Sequence, residues 1–304
     1  MTPHNHTTGR DRIVSRCNNG DSPVALMEFV ASIMPDAKRG DIKKWLRFDH
    51  LKVDGVISNQ FNMPVEPGMC VELNLTRPFV TFSHRRLKIV YEDDDIIVVN
   101  KGYGLLSVGT GRPGKEETAY SILKDYVKKQ NPSNKIFVVH RLDRDTSGLM
   151  MFARHMDAQT AMQHNWNNMV ISRKYVALLE GVMPQQSGFI KSRLEETSRF
   201  EVYSTPDAEA GKPALTRYRV VGKGRHHTLV EFELDTGRKN QIRVHARDLG
   251  FPIVGDRKYG GHTSPIHRMA LHARTLRFAH PVTRKDMYFQ TPVPSKFIGL
   301  MKNA

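Results

Sequence analysis

The residues with the plainest capacity for chemistry in this 304-residue chain lie together in His140-Arg141-Leu142-Asp143-Arg144-Asp145-Thr146-Ser147-Gly148-Leu149. One acid stands between two arginines and a Thr-Ser-Gly turn follows. Apolar runs flank the stretch, Ile136-Phe137-Val138-Val139 before it and Met150-Met151-Phe152 after it. Charges set between buried segments are paired or at work, because an unpaired charge is costly to desolvate. A carboxylate kept ionised by nearby guanidinium groups can serve as a nucleophile or an electrostatic stabiliser. Asp143 is therefore the first catalytic candidate. A structural ion pair leaves the same pattern, so both readings stand on this stretch alone. Asp145 and Thr146 read instead as a β-turn bonded to its own backbone.

A second basic segment runs from Thr236-Gly237-Arg238-Lys239-Asn240 to Gln241-Ile242-Arg243-Val244-His245. The spacing predicts a strand ending at Asp235, a turn at Gly237, and a helix with Ile242, Ala246 and Leu249 inward. Arg243 and Arg247 share another face of that helix. A guanidinium can orient a carboxylate through two parallel bonds, where a lysine is a looser point charge. His140 and His245 read as turn-fixing residues bonded to backbone. Asp93-Asp94-Asp95 reads as an exposed loop whose spacing matches no metal-ligand pattern. The glycine-rich stretch 109–115 lacks the spacing of a phosphate loop and reads as a flexible one. No metal site is expected.

These segments need a scaffold, and the pattern predicts one rich in strands. Ile96-Ile97-Val98-Val99 is a buried strand, Lys174-Tyr175-Val176-Ala177-Leu178-Leu179 another, and Val230, Phe232 and Leu234 alternate with acids in a third. Ala119, Ile122, Leu123, Tyr126 and Val127 mark an amphipathic helix. Long irregular connections favour an α+β unit with a mixed, mainly antiparallel sheet. A smaller α/β unit precedes it. Leu26, Phe29, Val30 and Ile33 form one helical face, with Ser22-Pro23 as its start and Pro35 as its stop. A second helix over 39–48 turns Ile42, Trp45 and Leu46 inward and carries Arg39, Lys43, Lys44 and Arg47 outward. Such a row of like charges weakens an isolated helix, and it makes sense against a phosphate backbone or as a solvated face. Asp54-Gly55 and Pro67-Gly68 are turns, and Met69, Val71, Leu73 and Leu75 alternate as in a half-buried strand. The division predicted is a mobile basic tail over 1–20, a small domain over 21–76, a linker over 77–87 and a large domain over 88–304.

Composition points to a polyanionic partner. Lys and Arg number 46 against 31 Asp and Glu, a net charge of +15, beyond the ~2–8 that solubility asks of a small domain. Neutralised phosphates release counterions, so nucleic acid is favoured and anionic membrane comes second. Cys17 and Cys70 are the only cysteines. They exclude a disulfide framework and a Cys-rich zinc site, and they suit a reducing compartment. No apolar run approaches a membrane span and the polar first twenty residues do not read as a secretory h-region, so a cytoplasmic location is expected. His4 and His6 read as part of the polar tail, not as metal ligands.

The blocks "DIIVVNKGYGLLSV", "HRLDRDTSGLMMFA", "RKYVALLEG", "TGRKNQIRVHARDLGFPIVGDRKYGG" and "MALHA" are similar, in order and spacing, to the RluA-type pseudouridine synthases. The likeness spans about 88–304. The two short helices, the Asp54-Gly55 hairpin and the "PGMCVEL" strand resemble an S4 RNA-binding domain, as in the ribosomal large-subunit members. This resemblance implies isomerisation of uridine to pseudouridine in structured RNA, 23S ribosomal RNA first, with neither metal nor organic cofactor. It implies that Asp143 is the nucleophile detaching uracil from C1′ so that C5 takes its place. Tyr175 stacks on the base and is credited with late proton removal from C5. Arg243 pairs with the aspartate, Arg141 fills the gap left by the extruded nucleotide, and Leu271 lines the uracil pocket. Arg39, Lys43, Lys44 and Arg47 grip RNA. Two departures stand out. Lys239-Asn240 replaces the usual Thr-His, and Gly102 replaces the proline that follows the lysine.

Base extrusion costs a few kcal/mol and asks for an aromatic pocket, which agrees with this scheme. A hairpin loop or junction is the expected target, since RNA is read through unpaired nucleotides. A monomer is expected. The rival readings are a non-catalytic RNA-binding or ribosome-assembly protein, a synthase acting on transfer RNA, a metal-dependent nuclease using the acidic cluster, and a glycoside hydrolase using Asp143 and Asp145.

Overall fold

The computed structural model describes residues 5–6, 12–111, 116–262 and 264–303. The chain divides into two compact units, Met1–Phe82 and Ser83–Ala304.

In the first unit the elements are β1 (Asn5–His6), β2 (Ile13–Cys17), β3 (Val24–Ala25), α1 (Leu26–Ile33), α2 (Arg39–Arg47), β4 (Leu51–Val53), β5 (Val56–Ile57), β6 (Pro64–Val65) and β7 (Cys70–Asn74). Five strands pair antiparallel in the order β1-β2-β7-β4-β5, and β3 pairs with β6. Leu26, Phe29 and Val30 of α1 and Ile42 and Leu46 of α2 pack on Leu51, Val53, Val71 and Leu73. The β4–β5 turn has φ of 47° at Asp54 and 78° at Gly55, the left-handed pair that a two-residue hairpin requires.

Three expectations are corrected here. Residues 13–17 are no mobile tail: they form β2, in register with β7 from Ile13–Asn74 to Cys17–Cys70. Polar composition hid this, because buried Asn18 spends its amide on the carbonyls of Val65 (2.7 Å) and Ser22 (3.1 Å). The remainder of the expected tail, 1–4 and 7–11 with His4, lies outside the described residues. Cys17 and Cys70, 53 residues apart, are register partners joined by a disulfide. Counting cysteines therefore does not assign a reducing compartment. Finally, α1 starts at Leu26 and not at Pro23, since Val24–Ala25 is drawn into pairing with Pro64–Val65.

The second unit contains β8 (Leu87–Glu92), β9 (Ile96–Lys101), α3 (Ala119–Gln130), β10 (Phe137–Val138), β11 (Ser147–Ala153), α4 (Met156–His164), α5 (Trp166–Met169) and β12 (Val170–Glu180). It continues with β13 (Ser187–Glu196), β14 (Val202–Thr205), β15 (Lys212–Lys223), β16 (His227–Leu234), α6 (Gln241–Asp248), β17 (Leu271–Ala279), β18 (Asp286–Gln290) and α7 (Ser295–Asn303). One eleven-stranded sheet runs β14-β13-β15-β16-β12-β17-β11-β9-β8, with β10 on β11 and β18 on β17. Among the described residues every pair of these strands is antiparallel except β11–β17. The unit is the α+β fold with a mixed, mainly antiparallel sheet that the strand pattern predicts. Val176, Leu178, Val230 and Phe232 pack with Ile242 and Ala246 of α6 and Phe297 of α7. Ile96, Val98, Leu149, Met151 and Phe278 pack with Ala158 and Met162 of α4.

Asp93-Asp94-Asp95 is not a free loop. Asp93 accepts from Tyr91 and His280, and Asp95 pairs with His155. Asp93, Asp95 and His280 lie close enough to share an ion. However, His280 Nδ1 sits 3.1 Å from Thr283 N as acceptor, which leaves Nε2 to donate to Asp93. No described helix is long and apolar enough to cross a membrane.

Candidate active site

Asp143 stands in the turn before β11, closed by Thr146 N donating to the Asp143 carbonyl at 3.2 Å. Two buried polar groups hold that turn. Ser107 Oγ donates to the Leu142 carbonyl (2.7 Å) and accepts from Leu142 N (3.1 Å). Lys101, fully buried at the end of β9, donates from Nζ to the carbonyls of Leu105 (2.7 Å), Arg144 (3.1 Å) and Gly102 (3.2 Å). Burial drives its pKa down to about 7, against the opposing pull of Asp145 and Asp143. The departure at Gly102 has a local reason: its N–H donates to the Arg86 carbonyl at 2.6 Å, a bond that proline cannot make.

Sheet geometry brings the other candidates to this turn. Gly148 has φ of 119°, and a Cβ there would lie 2.2 Å from the Ala273 carbonyl oxygen. Only glycine admits this approach of β11 to β17, which sets Ser147 opposite His272 and carries Leu271 beside the turn. Tyr175 pairs with Ala273 and Phe232, and the β12–β17 register shifts between Lys174 and Tyr175. A bulge of this kind re-aims a side chain. The β16–α6 connection ends at Asn240, whose left-handed φ of 53° turns the chain into α6 and its Arg243.

Asp143, Tyr175, Arg243, Arg141 and Leu271 line one cleft of about 790 Å³. Arg243 Nη1 is 3.4 Å from Asp143 Oδ2 and 3.1 Å from Asn240 Oδ1. Its Nε and Nη2 bond both oxygens of Asp256 at 2.7 and 2.8 Å. Burial alone would lower the Arg243 pKa, but the hydrogen bonds and charge of Asp256 outweigh it and raise the net value. The guanidinium is thus a fixed cation beside Asp143. Burial, helped by the Asp143 charge, raises the Tyr175 pKa over the contrary effect of Arg173. Tyr175 is a neutral phenol at physiological pH. Arg141 is exposed on the cleft wall with no protein partner among the described residues. Arg39, Lys43, Lys44 and Arg47 are exposed on α2 in the first unit.

Reading by motif left some of the site unassigned. Asp256, in the segment "GDRKYG", has its side chain fully buried and holds Arg243. Trp166 lines the cleft under Arg173, 5.5 Å from ring to guanidinium. Asn240, in the place of a histidine, donates to Tyr259 (2.8 Å) and accepts from Arg243. His140 does accept from the Met151 N–H, as expected. His245 does not bond backbone: its ring nitrogens meet Thr216 Oγ1 (2.7 Å) and Ser192 Oγ (2.9 Å). Asp145 meets Arg144 at 3.4 Å, where a backbone-bonded turn residue was expected.

Two buried histidines predict an acid limit. His245 and His272 are 0% and 4% exposed, and burial lowers each from 6.5 to about 4, with Arg268 and Arg274 adding to the effect at His272. Between those values the unfolded chain binds protons that the folded chain refuses. Stability is complete above pH 6.5 and is lost as pH falls toward 4, by roughly 3 kcal/mol for each histidine. The melting temperature is expected to drop steeply over this window. A melting temperature flat from pH 7 to 4.5 contradicts the assignment.

Comparison with known proteins fixes the class. Two solved human domains share the fold. RNA Pseudouridylate Synthase Domain Containing 4 has a TM-score of 0.57 at 23% identity, covering 69% of this chain and 90% of that one. RNA Pseudouridylate Synthase Domain Containing 1 has a TM-score of 0.56 at 28% identity, covering 71% and 87%. Residues 95–248 match the family described as RNA pseudouridylate synthase. Ribosomal large subunit pseudouridine synthase D of Haemophilus ducreyi is 33% identical, over 91% of this chain and 90% of the relative. The protein of that name in Escherichia coli K12 is 33% identical over 91% and 89%. The uncharacterised RNA pseudouridine synthase YlyB of Bacillus subtilis is 33% identical over 91% and 92%. The chain belongs to the RNA pseudouridine synthase family. Its activity is the isomerisation of uridine to pseudouridine, and its partner is RNA.

Proposed function

We propose that the chain modifies uridines of large-subunit ribosomal RNA, with Asp143 as the nucleophile acting on an extruded uridine. The observation that carries this is one carboxylate meeting a clamped guanidinium in a cleft with a half-buried aromatic wall. Attack by Asp143 at C1′ releases uracil as an anion. Rotation within the cleft presents C5, which bonds C1′ as the ester to Asp143 breaks. Splitting the exchange in this way replaces one difficult step by easier ones. Arg243 holds Asp143 aimed. Tyr175 and Leu271 form the faces against which the base turns, and the neutral phenol suits stacking. The proton lost from C5 is matched by one gained at N1, the nitrogen freed from C1′; the neutral phenol can take the first only as it gives up its own, so stacking is the larger part of its role. Arg141, free and exposed, enters the stack that the uridine vacates.

The first unit is read as an S4-like module whose α2 cations lie along RNA phosphates, the whole acting as a monomer without cofactor or membrane contact. A cytoplasmic setting follows from the substrate. Replacing Arg39, Lys43 and Arg47 together by alanine is expected to weaken RNA binding and flatten its salt dependence by about 0.7–0.9 for each phosphate no longer neutralised. The melting temperature should not fall, because removing like-charge neighbours relieves a helix. An unchanged salt slope would take α2 out of the interface.

The decisive test is incubation of the purified chain with unmodified large-subunit ribosomal RNA, followed by mapping of pseudouridine at single-nucleotide resolution. Discrete new sites in that RNA, also missing from cells without the gene, are the expected result. Sites found in transfer RNA alone would reassign the substrate, and none in any RNA would remove the enzymatic reading.

A further inference from the structure

A second cleft, of about 890 Å³, opens on the other side of the residues that carry Asp143. It shares Arg144 and Arg243 with the first, and Tyr103, Arg257, Lys258 and Arg268 also line it. Its charge is one-sided. Five cationic side chains face only Asp145 and Asp256, and Asp256 is committed to Arg243 through both oxygens. Arg257 is exposed and has no protein partner among the described residues, so its guanidinium is available to an incoming anion. Lys258 is anchored by a 2.8 Å bond to the Phe200 carbonyl, which holds its ammonium at the rim. Tyr103 presents a ring that is 37% exposed. Arg268 lies 5.0 Å from that ring and donates to Ser147 Oγ at 2.7 Å, so the aromatic face is braced against β11.

An exposed ring with a braced cation and two further cations at hand is the equipment of a nucleotide site: the ring takes a base and the guanidinium a phosphate. We infer that this second cleft receives a nucleotide of the RNA strand adjoining the uridine held at Asp143, its base on Tyr103 and its phosphate at Arg257 and Lys258. The inference rests on the reading of the first cleft as the uridine pocket. Because Arg144 and Arg243 border both clefts, a strand seated in the second would cross directly over the turn that carries Asp143. Filling it would fix the uridine's backbone before the base is turned in.

The test uses the full chain and unmodified large-subunit ribosomal RNA transcribed in vitro. Arg257→Ala is expected to weaken binding and to reduce the salt slope by about 0.7–0.9, the share of one phosphate. Tyr103→Leu should weaken binding by about 5- to 100-fold, as the loss of one stacked base does, and Tyr103→Trp should restore it. Both losses should fall on affinity more than on the single-turnover rate at saturating RNA. A role confined to holding the fold would move the melting temperature and leave the salt slope unchanged, and that pattern overturns the inference. So does wild-type affinity in both variants. Failure of the wild-type chain to make pseudouridine would instead remove the reading of the first cleft, while the salt slopes would still report on the second.

Discussion

Asp143→Asn is expected to abolish pseudouridine formation, by at least ~10⁴-fold, the scale on which removing a nucleophile acts. RNA binding and the melting temperature should stay near those of the wild type. The side chain is 35% exposed and its single partner among the described residues is Arg243 at 3.4 Å, so an amide of the same shape leaves the turn intact. Arg243 stays satisfied as well, because two of its bonds go to Asp256. A half-exposed pair contributes little to stability, on the order of 1 kcal/mol or less. Single-turnover assays on saturating RNA would read the chemistry apart from binding. Activity within a hundredfold of wild type would show that the carboxylate is not the nucleophile.

Asp256→Ala should damage both fold and function although Asp256 lies outside the uridine cleft. Its carboxylate has no exposure and Arg243 is 13% exposed, so alanine leaves a buried cation without its main partner. Breaking a buried pair from one side costs about 3–5 kcal/mol, enough to lower the melting temperature by many degrees. Activity should fall about 10²-fold even at temperatures where the variant is folded, since a displacement near 1 Å of a positioning group has that effect. Arg243→Met combined with Asp256→Leu removes both charges and is expected to be more stable than Asp256→Ala alone. Chemical denaturation of the three proteins would check the order. A wild-type melting curve for Asp256→Ala would mean that Arg243 is held by other contacts.

Much of the site follows from local chemistry. An acid between arginines, a tyrosine in an apolar strand and an arginine on an amphipathic helix are properties of short windows. So are the helical face of Leu26, Phe29 and Val30 and the turn at Asp54-Gly55. What escaped such windows depended on distant partners. β2 is a strand because β7 lies in register with it, although its own residues alternate poorly. Val24–Ala25 left the helix for the same kind of reason. Asp256 could not be assigned from its motif, because a buried acid has meaning only once the cation facing it is known. The Asp93–Asp95 network was missed in the same way: His280, nearly two hundred residues further on, converts a solvated loop into a paired one.

The amino-acid sequence by itself determined which residue types are available, the periodic segments that become most of the helices and strands, and that the chain carries a large positive charge. Tertiary structure decided their partners. Asp143 and Arg243 are separated by a hundred positions, and their meeting depends on a parallel β11–β17 contact close enough that only Gly148 permits it. Periodicity is a property of neighbours a few residues apart, whereas strand register and the pairing of buried charges are settled only when remote segments pack.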